Sequence, residues 1–305
     1  MKHRAALVAV VVPRPLLTGR MRMCTYCMQY GHGHEWYLNP ENYTERARQM
    51  PHVVESGMIE IFGGNGKMDL EIGTAAGFDM LIPDLSDKEN IEALNALAPS
   101  RHGGQIVTIE EVRKIIDLSE GDHLLYVPCY CRQYFGAVER LTCLWLYPVS
   151  KMVQKNRPWE PQKEVSKTEA KKQQQSFHEE GLVAGIYWTP LPIPMVICNC
   201  EFPYCMAMRA RRHYGLTNVT RKGHYVARID NNLCDGCRGR GAGGGGAPRC
   251  VSRCQFGALT YSPTDRKVVV DQHRCFGCGV CQVACRKGAI RLAPRRTLPA
   301  VAEEF

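Results

Sequence analysis

No apolar run near the start of this chain approaches the length of a membrane span. The stretch 5–12 has eight residues, against the ~20 that a bilayer requires. Lys2 and Arg4 precede it, but Arg14, Arg20 and Arg22 follow, and no small-residue cleavage site is evident. The start therefore reads as a strand or an over-extended start codon, with Met21 and Met23 as other starts, rather than as a signal peptide. No C-x-x-C-H occurs, which leaves covalent c-type haem unsupported. A dinucleotide fingerprint and a Ser/His/Asp set are also missing. Gly63-Gly64-Asn65-Gly66-Lys67 has the outline of a phosphate loop, but Met68 stands where that loop needs Ser or Thr. A hairpin turn after a strand at 59–62 is the expectation there. No zinc-finger helix, RRM signature or aromatic–basic stacking pattern points to nucleic acid.

What the chain has in excess is cysteine, 16 in 305 residues. Near the end it reads Cys275-Phe276-Gly277-Cys278-Gly279-Val280-Cys281-Gln282-Val283-Ala284-Cys285. This is C-x2-C-x2-C-x3-C, in which three thiolates wrap one [4Fe–4S] cluster and the fourth serves a neighbouring one. Upstream, Cys234-Asp235-Gly236-Cys237 opens a second motif, completed by Cys250 and Cys254 after a glycine-rich insertion. That insertion falls between the second and third cysteines, where a loop can bulge without moving them. The flanks repeat too. Residues 227–230 and 268–271 precede the two motifs, and Gly257-Ala258-Leu259 and Gly288-Ala289-Ile290 follow them. Zinc would use two cysteine pairs and leave the compact x2-x2-x3 run unexplained. Disulfide frameworks suit small secreted scaffolds.

Residues 225–292 resemble the bacterial two-[4Fe–4S] ferredoxin family. The resemblance implies one cluster held by Cys234, Cys237, Cys250 and Cys285, and another held by Cys275, Cys278, Cys281 and Cys254. It also implies a fold of two strand–loop–helix–strand copies. The chain departs from the family in its insertion and at Gln255 and Arg286, where proline usually follows the fourth cysteine. Neither departure removes a ligand.

Net charge is +9, from 39 Lys+Arg and 30 Asp+Glu. The excess is local. Residues 221–305 hold 15 basic and 6 acidic side chains, while 1–220 hold 24 of each. A thiolate-ligated cube carries a formal charge of about −2 and belongs in the local sum. The remaining basic surface fits docking to an acidic redox partner.

The middle of the chain is loosely duplicated. Thr108 and Glu111, then Ser166 and Glu169, form two capping boxes that open helices. Gly121 and Gly181 stop them. Residues 124–127, 186–188 and 195–197 read as strands. Cys129-Tyr130-Cys131 with Cys143, and Cys198-Asn199-Cys200 with Cys205, give three cysteines per copy. Packed face to face, the two Cys-x-Cys corners would meet. In one arrangement each copy supplies three thiolates to a cube, and Cys24 and Cys27 complete the two. In another, the six are small apolar core residues. Cys24 and Cys27 are followed by His32 and His34, and two sulfurs with two nitrogens also suit tetrahedral zinc. The Pro-Cys-x-Cys-Arg and Cys-Asn-Cys stretches look similar to those of poorly characterised iron–sulfur proteins of anaerobes that carry a C-terminal ferredoxin module. That similarity covers about residues 100–290.

The expectation is an α+β fold in which a duplicated αβ cysteine-bearing region precedes a ferredoxin-like 2[4Fe–4S] lobe. Region 1–107 has no assigned role beyond Cys24 and Cys27. Region 108–220 is the duplicated part, 221–292 the ferredoxin part and 293–305 a tail. The expected function is cytoplasmic relay of single electrons, without acid–base catalysis, to or from a flavoprotein or metal-cofactor oxidoreductase of anaerobic metabolism. Two [4Fe–4S] clusters are expected, with one or two more if the middle cysteines also ligate. The alternative is a reductase whose cluster in 108–220 is incompletely cysteine-ligated and exposes an open iron site.

Overall fold

A computed structural model describes residues 24–43, 88–97, 102–188, 193–217, 219–239 and 247–304. The expected strands at 5–12 and 59–62, the turn at 63–67 and most of the glycine-rich insertion lie outside them. In chain order the elements are α1 (Thr25–Tyr30), α2 (Lys88–Leu97), β1 (Gly104–Ile106), α3 (Ile109–Leu118), β2 (Leu124–Pro128), α4 (Tyr130–Tyr134), β3 (Leu141–Trp145) and α5 (Val149–Asn156). There follow β4 (Lys163–Val165), α6 (Lys167–Glu180), β5 (Val183–Trp188), β6 (Pro194–Cys200) and α7 (Met206–His213). The last part contains β7 (Tyr225–Ile229), α8 (Arg249–Ser252), β8 (Leu259–Ser262), β9 (Lys267–Val270), α9 (Val280–Ala284) and β10 (Ile290–Pro294). The class is α+β, as expected.

Six strands form one antiparallel sheet in the order β1-β5-β6-β3-β2-β4. It is a duplication. β1-α3-β2-β3 and β4-α6-β5-β6 are equivalent halves, related about the central β3–β6 pair. Each half lends its first strand to the other, β1 to β5 and β4 to β2. Both helices start at the capping boxes read from sequence, with Thr108 accepting from the Glu111 amide and Ser166 from the Glu169 amide. Gly181 ends α6 in the left-handed region.

The repeat differs from the expected one in register. β2 corresponds to β5 and β3 to β6, so Cys198 is the counterpart of Cys143, and the two are paired directly across the central strands. Cys129 and Cys131 follow β2; the turn after β5 carries no cysteine. The two Cys-x-Cys pairs look alike in sequence, yet one caps a helix and the other lies inside a strand.

Strand alternation gives the sheet two distinct faces. Leu124, Tyr126, Leu144, Ala184, Ile186 and Ile197 join α3, α6 and the Cys24–Tyr37 segment in one core. Leu125, Val127, Cys143, Trp145 and Val196 face the other way, against α5. Each large apolar side chain buried in these layers contributes roughly 1.5–3 kcal/mol.

The C-terminal lobe has two small sheets, β7–β10 and β8–β9. Its core includes Val226, Ala227, Leu259, Val268, Ile290 and Val301. The segment after residue 292, expected to be a tail, closes this core. Arg295 is buried and donates to the carbonyls of Gly223 at 3.0 Å, Tyr225 at 3.1 Å and Cys275 at 2.7 Å. Lobe and sheet meet in a shared apolar layer of Ile106, Val183, Met208, Phe256, Phe276 and Val280.

Candidate metal centres

The loop from Cys275 to Cys281 turns on two glycines with positive φ, Gly277 at +74° and Gly279 at +82°. At Gly277 a Cβ would lie 2.1 Å from the Tyr225 carbonyl oxygen, so only glycine lets the loop approach β7. Cys275 Sγ accepts a hydrogen bond from the Ala227 amide at 3.4 Å, and Cys254 Sγ accepts one from Ala258 at 3.2 Å. Cys254, Cys275, Cys278 and Cys281 line one cavity with Ala227, Leu259 and Leu292.

The remaining four lobe cysteines form a second set. Cys285, Cys237 and Cys234 all act electrostatically on Cys250. The fourth cysteine of each motif thus sits with the first three of the other. Burial pushes the Cys278 thiol up to about 12 and Cys250 to about 11. Thiols held protonated in this way need a metal's charge to become thiolates. Four convergent sulfurs, amides aimed at two of them and an apolar lining suit a cube. Cys237 is the exposed member of the second set.

Six further cysteines meet on the face of the sheet that turns away from α3 and α6. Cys129 contacts Cys131 and Cys143. Cys131 contacts Cys205, Cys205 contacts Cys200, and Cys200 contacts Cys198. Cys198 Sγ lies 4.0 Å from Cys143 Sγ, which closes a ring of six. Backbone amides point at this ring as well, Arg132 N–H toward Cys129 and Met208 N–H toward Cys205. Contact with Cys131 and then Cys143 pulls the Cys129 thiol down to about 3, and Cys131 is pushed up in exchange.

Cys24 and Cys27 are on the opposite face. Both are buried in the helix-side core with Tyr26, Trp36 and Trp188. Cys24 caps α1 and accepts from the Cys27 amide at 3.4 Å. The pair does not meet the six, because the sheet lies between them. Nor are His32 and His34 drawn in: both are exposed, and His32 faces Glu41 at 3.5 Å. The side chains that do reach Cys24 are His102 and Arg221. Among the described residues, no three His, Cys, Asp or Glu side chains could hold a single metal ion.

Sequence reading missed His102, Arg221 and the stacked pair Phe256–Phe276. None has a local signature. His102 precedes two glycines outside any periodic segment, and each phenylalanine sits one or two residues from a cysteine that draws the eye. Tyr130 and Trp145 pack beside Cys129 and Cys143.

A family model described as Fer4, a 4Fe-4S binding domain, matches residues 268–291. No curated protein matches the chain. The match spans β9, the Cys275–Cys281 loop, α9, Cys285 and the start of β10. This part of the chain is a 4Fe–4S binding segment of ferredoxin type, and its general chemistry is iron–sulfur electron transfer. Among the described residues no helix is long and apolar enough to cross a membrane.

Proposed function

We propose that this protein relays single electrons through two [4Fe–4S] clusters, one held by Cys254, Cys275, Cys278 and Cys281 and the other by Cys234, Cys237, Cys250 and Cys285. The observation that carries the proposal is the crossed convergence of eight cysteines from two motifs into two sets of four. Clusters so bound take up and release one electron at a time; the chain's own residues set the potential through amide bonds to sulfur, burial and charge. The first set is walled by the sheet. The second presents exposed Cys237 with exposed Leu233 and Val283 in the same lobe, and so serves as the door to a partner.

That partner is an oxidoreductase with an acidic docking surface, a flavoprotein or a metal-cofactor enzyme, since the excess positive charge is confined to residues 221–305. The sixteen cysteines, all free thiols, fit a reducing, cytoplasmic setting of anaerobic metabolism. A non-catalytic relay is favoured over a reductase with an under-ligated cluster, because the middle of the chain gathers six thiols and so offers a surplus of ligands. The pair Cys24–Cys27, with His102 beside it, takes no cluster and no zinc in this scheme.

Anaerobic reconstitution with iron and sulfide, followed by EPR of the reduced protein, tests the proposal. At least about eight irons per chain are expected. The double substitution Cys275→Ser/Cys281→Ser removes about four of them. A chain that keeps all its iron after that change does not use these ligands.

A further inference from the structure

We propose that the six cysteines on the face of the central sheet turned away from α3 and α6 form a third iron–sulfur centre, a single basin that exchanges electrons with the lobe set of Cys254, Cys275, Cys278 and Cys281. The inference rests on the electron-relay function and adds a metal site and a route to it.

The six sulfurs make one site, because their contacts run in an unbroken circle from Cys129 through Cys131, Cys205, Cys200, Cys198 and Cys143. Each half of the duplicated sheet supplies three. Cys143 and Cys198 straddle the centre of the sheet, paired in register. β-Alternation places Cys198 and Cys200 on the same face, and the turns after β2 and β6 bring the other three cysteines over it. Two motifs of different local structure thus end at one place, which apolar packing alone does not require.

The basin also shares the chemistry of the lobe sites. Thiolate ligands are stabilised by backbone amides aimed at sulfur. In the lobe, Ala227 and Ala258 provide them; in the basin, Arg132 and Met208 do. Positive charge is built in beside it. The Arg132 guanidinium is buried, pairs with Glu201 and lies 5.4 Å from the Tyr204 ring centre. A cluster with four thiolates would bring about −2 of charge to this spot.

The route is the shared apolar layer. Cys198, Cys200 and Cys205 on the sheet side and Cys254 and Cys278 on the lobe side pack into the same group as Phe256 and Phe276. Those two rings stack with centroids 4.0 Å apart. One electron crosses this layer; one thiolate-bound side is oxidised by one equivalent, the other reduced, and no bond is made or broken.

Iron and sulfide counting on the anaerobically reconstituted full chain, with an EPR-monitored redox titration, provides the test. About twelve irons per chain are expected, against about eight for a lobe that acts alone. Cys129→Ser/Cys143→Ser/Cys198→Ser, which leaves three thiols, should lose about four irons and one redox transition while the lobe transitions persist. Cys131→Ala, a milder second variant that leaves five thiols, should keep the iron but shift the midpoint of the third transition. A wild-type count of about eight that neither variant alters overturns the third centre and leaves the lobe intact. Failure of the relay itself registers separately, as iron that Cys275→Ser/Cys281→Ser does not remove.

Discussion

Gln255 reaches from the ferredoxin lobe to Phe202 in the turn after β6, where its side-chain oxygen accepts the Phe202 amide at 2.7 Å. Its side-chain nitrogen donates to the Gly181 carbonyl, also at 2.7 Å. This is the position after Cys254 at which ferredoxins usually carry proline. The departure from the family pattern is thus the clamp that fastens lobe to sheet, placed one residue from a proposed ligand. Arg253 adds a bond to the Glu179 carbonyl. Replacing Gln255 with Ala should remove two part-buried hydrogen bonds and cost about 1–3 kcal/mol. Thermal unfolding of the holoprotein should show a lowered midpoint with iron content unchanged. Gln255→Pro, which matches the family, should be no better.

Gly277 is the second local test. Its φ of +74° and the Tyr225 oxygen 2.1 Å from a built Cβ leave no room for a side chain. Gly277→Ala should shift the loop off β7 and cost on the order of 1–3 kcal/mol. Because Cys275 and Cys278 flank it, the expected readout is loss of about four irons on reconstitution, with the Cys234 set retained. Full iron loading would show that the close approach is dispensable.

Features that are local in sequence were legible in it. The capping boxes at Thr108 and Ser166, the glycine stop at Gly181 and the ferredoxin cysteine spacing each encode their geometry within a few residues. The sheet was not legible in the same way. Its order depends on pairings such as Cys143 with Cys198 across the chain, and on each half lending a strand to the other. That is why the Cys-x-Cys repeat suggested the wrong equivalence, and why Cys24 and Cys27 could not be seen to lie behind the sheet from the other six. His102 beside Cys24 and the Phe256–Phe276 stack are likewise products of tertiary packing.

Electron exchange with a partner should depend on salt. The lobe carries the whole net positive charge of the chain, and exposed charges steer association only within a Debye length of ~10 Å at 0.1 M salt. Stopped-flow oxidation of the reduced protein by an acidic acceptor should slow by about tenfold or more between low and high ionic strength. A basic acceptor should show the opposite trend. A flat salt profile with both would remove electrostatic docking from the proposal.

The last prediction concerns pH. Glu111 closes the first capping box, accepting the Thr108 amide at 2.7 Å, and also accepts the Tyr37 hydroxyl at 3.1 Å. It lies on α3 and is 3 % exposed. Burial raises its carboxyl from 4.5 to about 7, with Glu35 adding to the rise and the hydrogen bonds opposing it. The folded state therefore binds a proton that the unfolded state has lost between these two values. Stability falls as pH climbs through that window and levels off above it, because ionisation must then occur inside the fold. Between pH 5 and 8 the holoprotein should lose about 1–3 kcal/mol from this group. Glu111→Gln keeps an acceptor for the box and carries no titrating proton. Denaturant melts of the two proteins at half-unit pH steps should converge in slope above pH 7.5 and diverge below it. Parallel curves across the whole range would mean that Glu111 is ionised in the fold at pH 5.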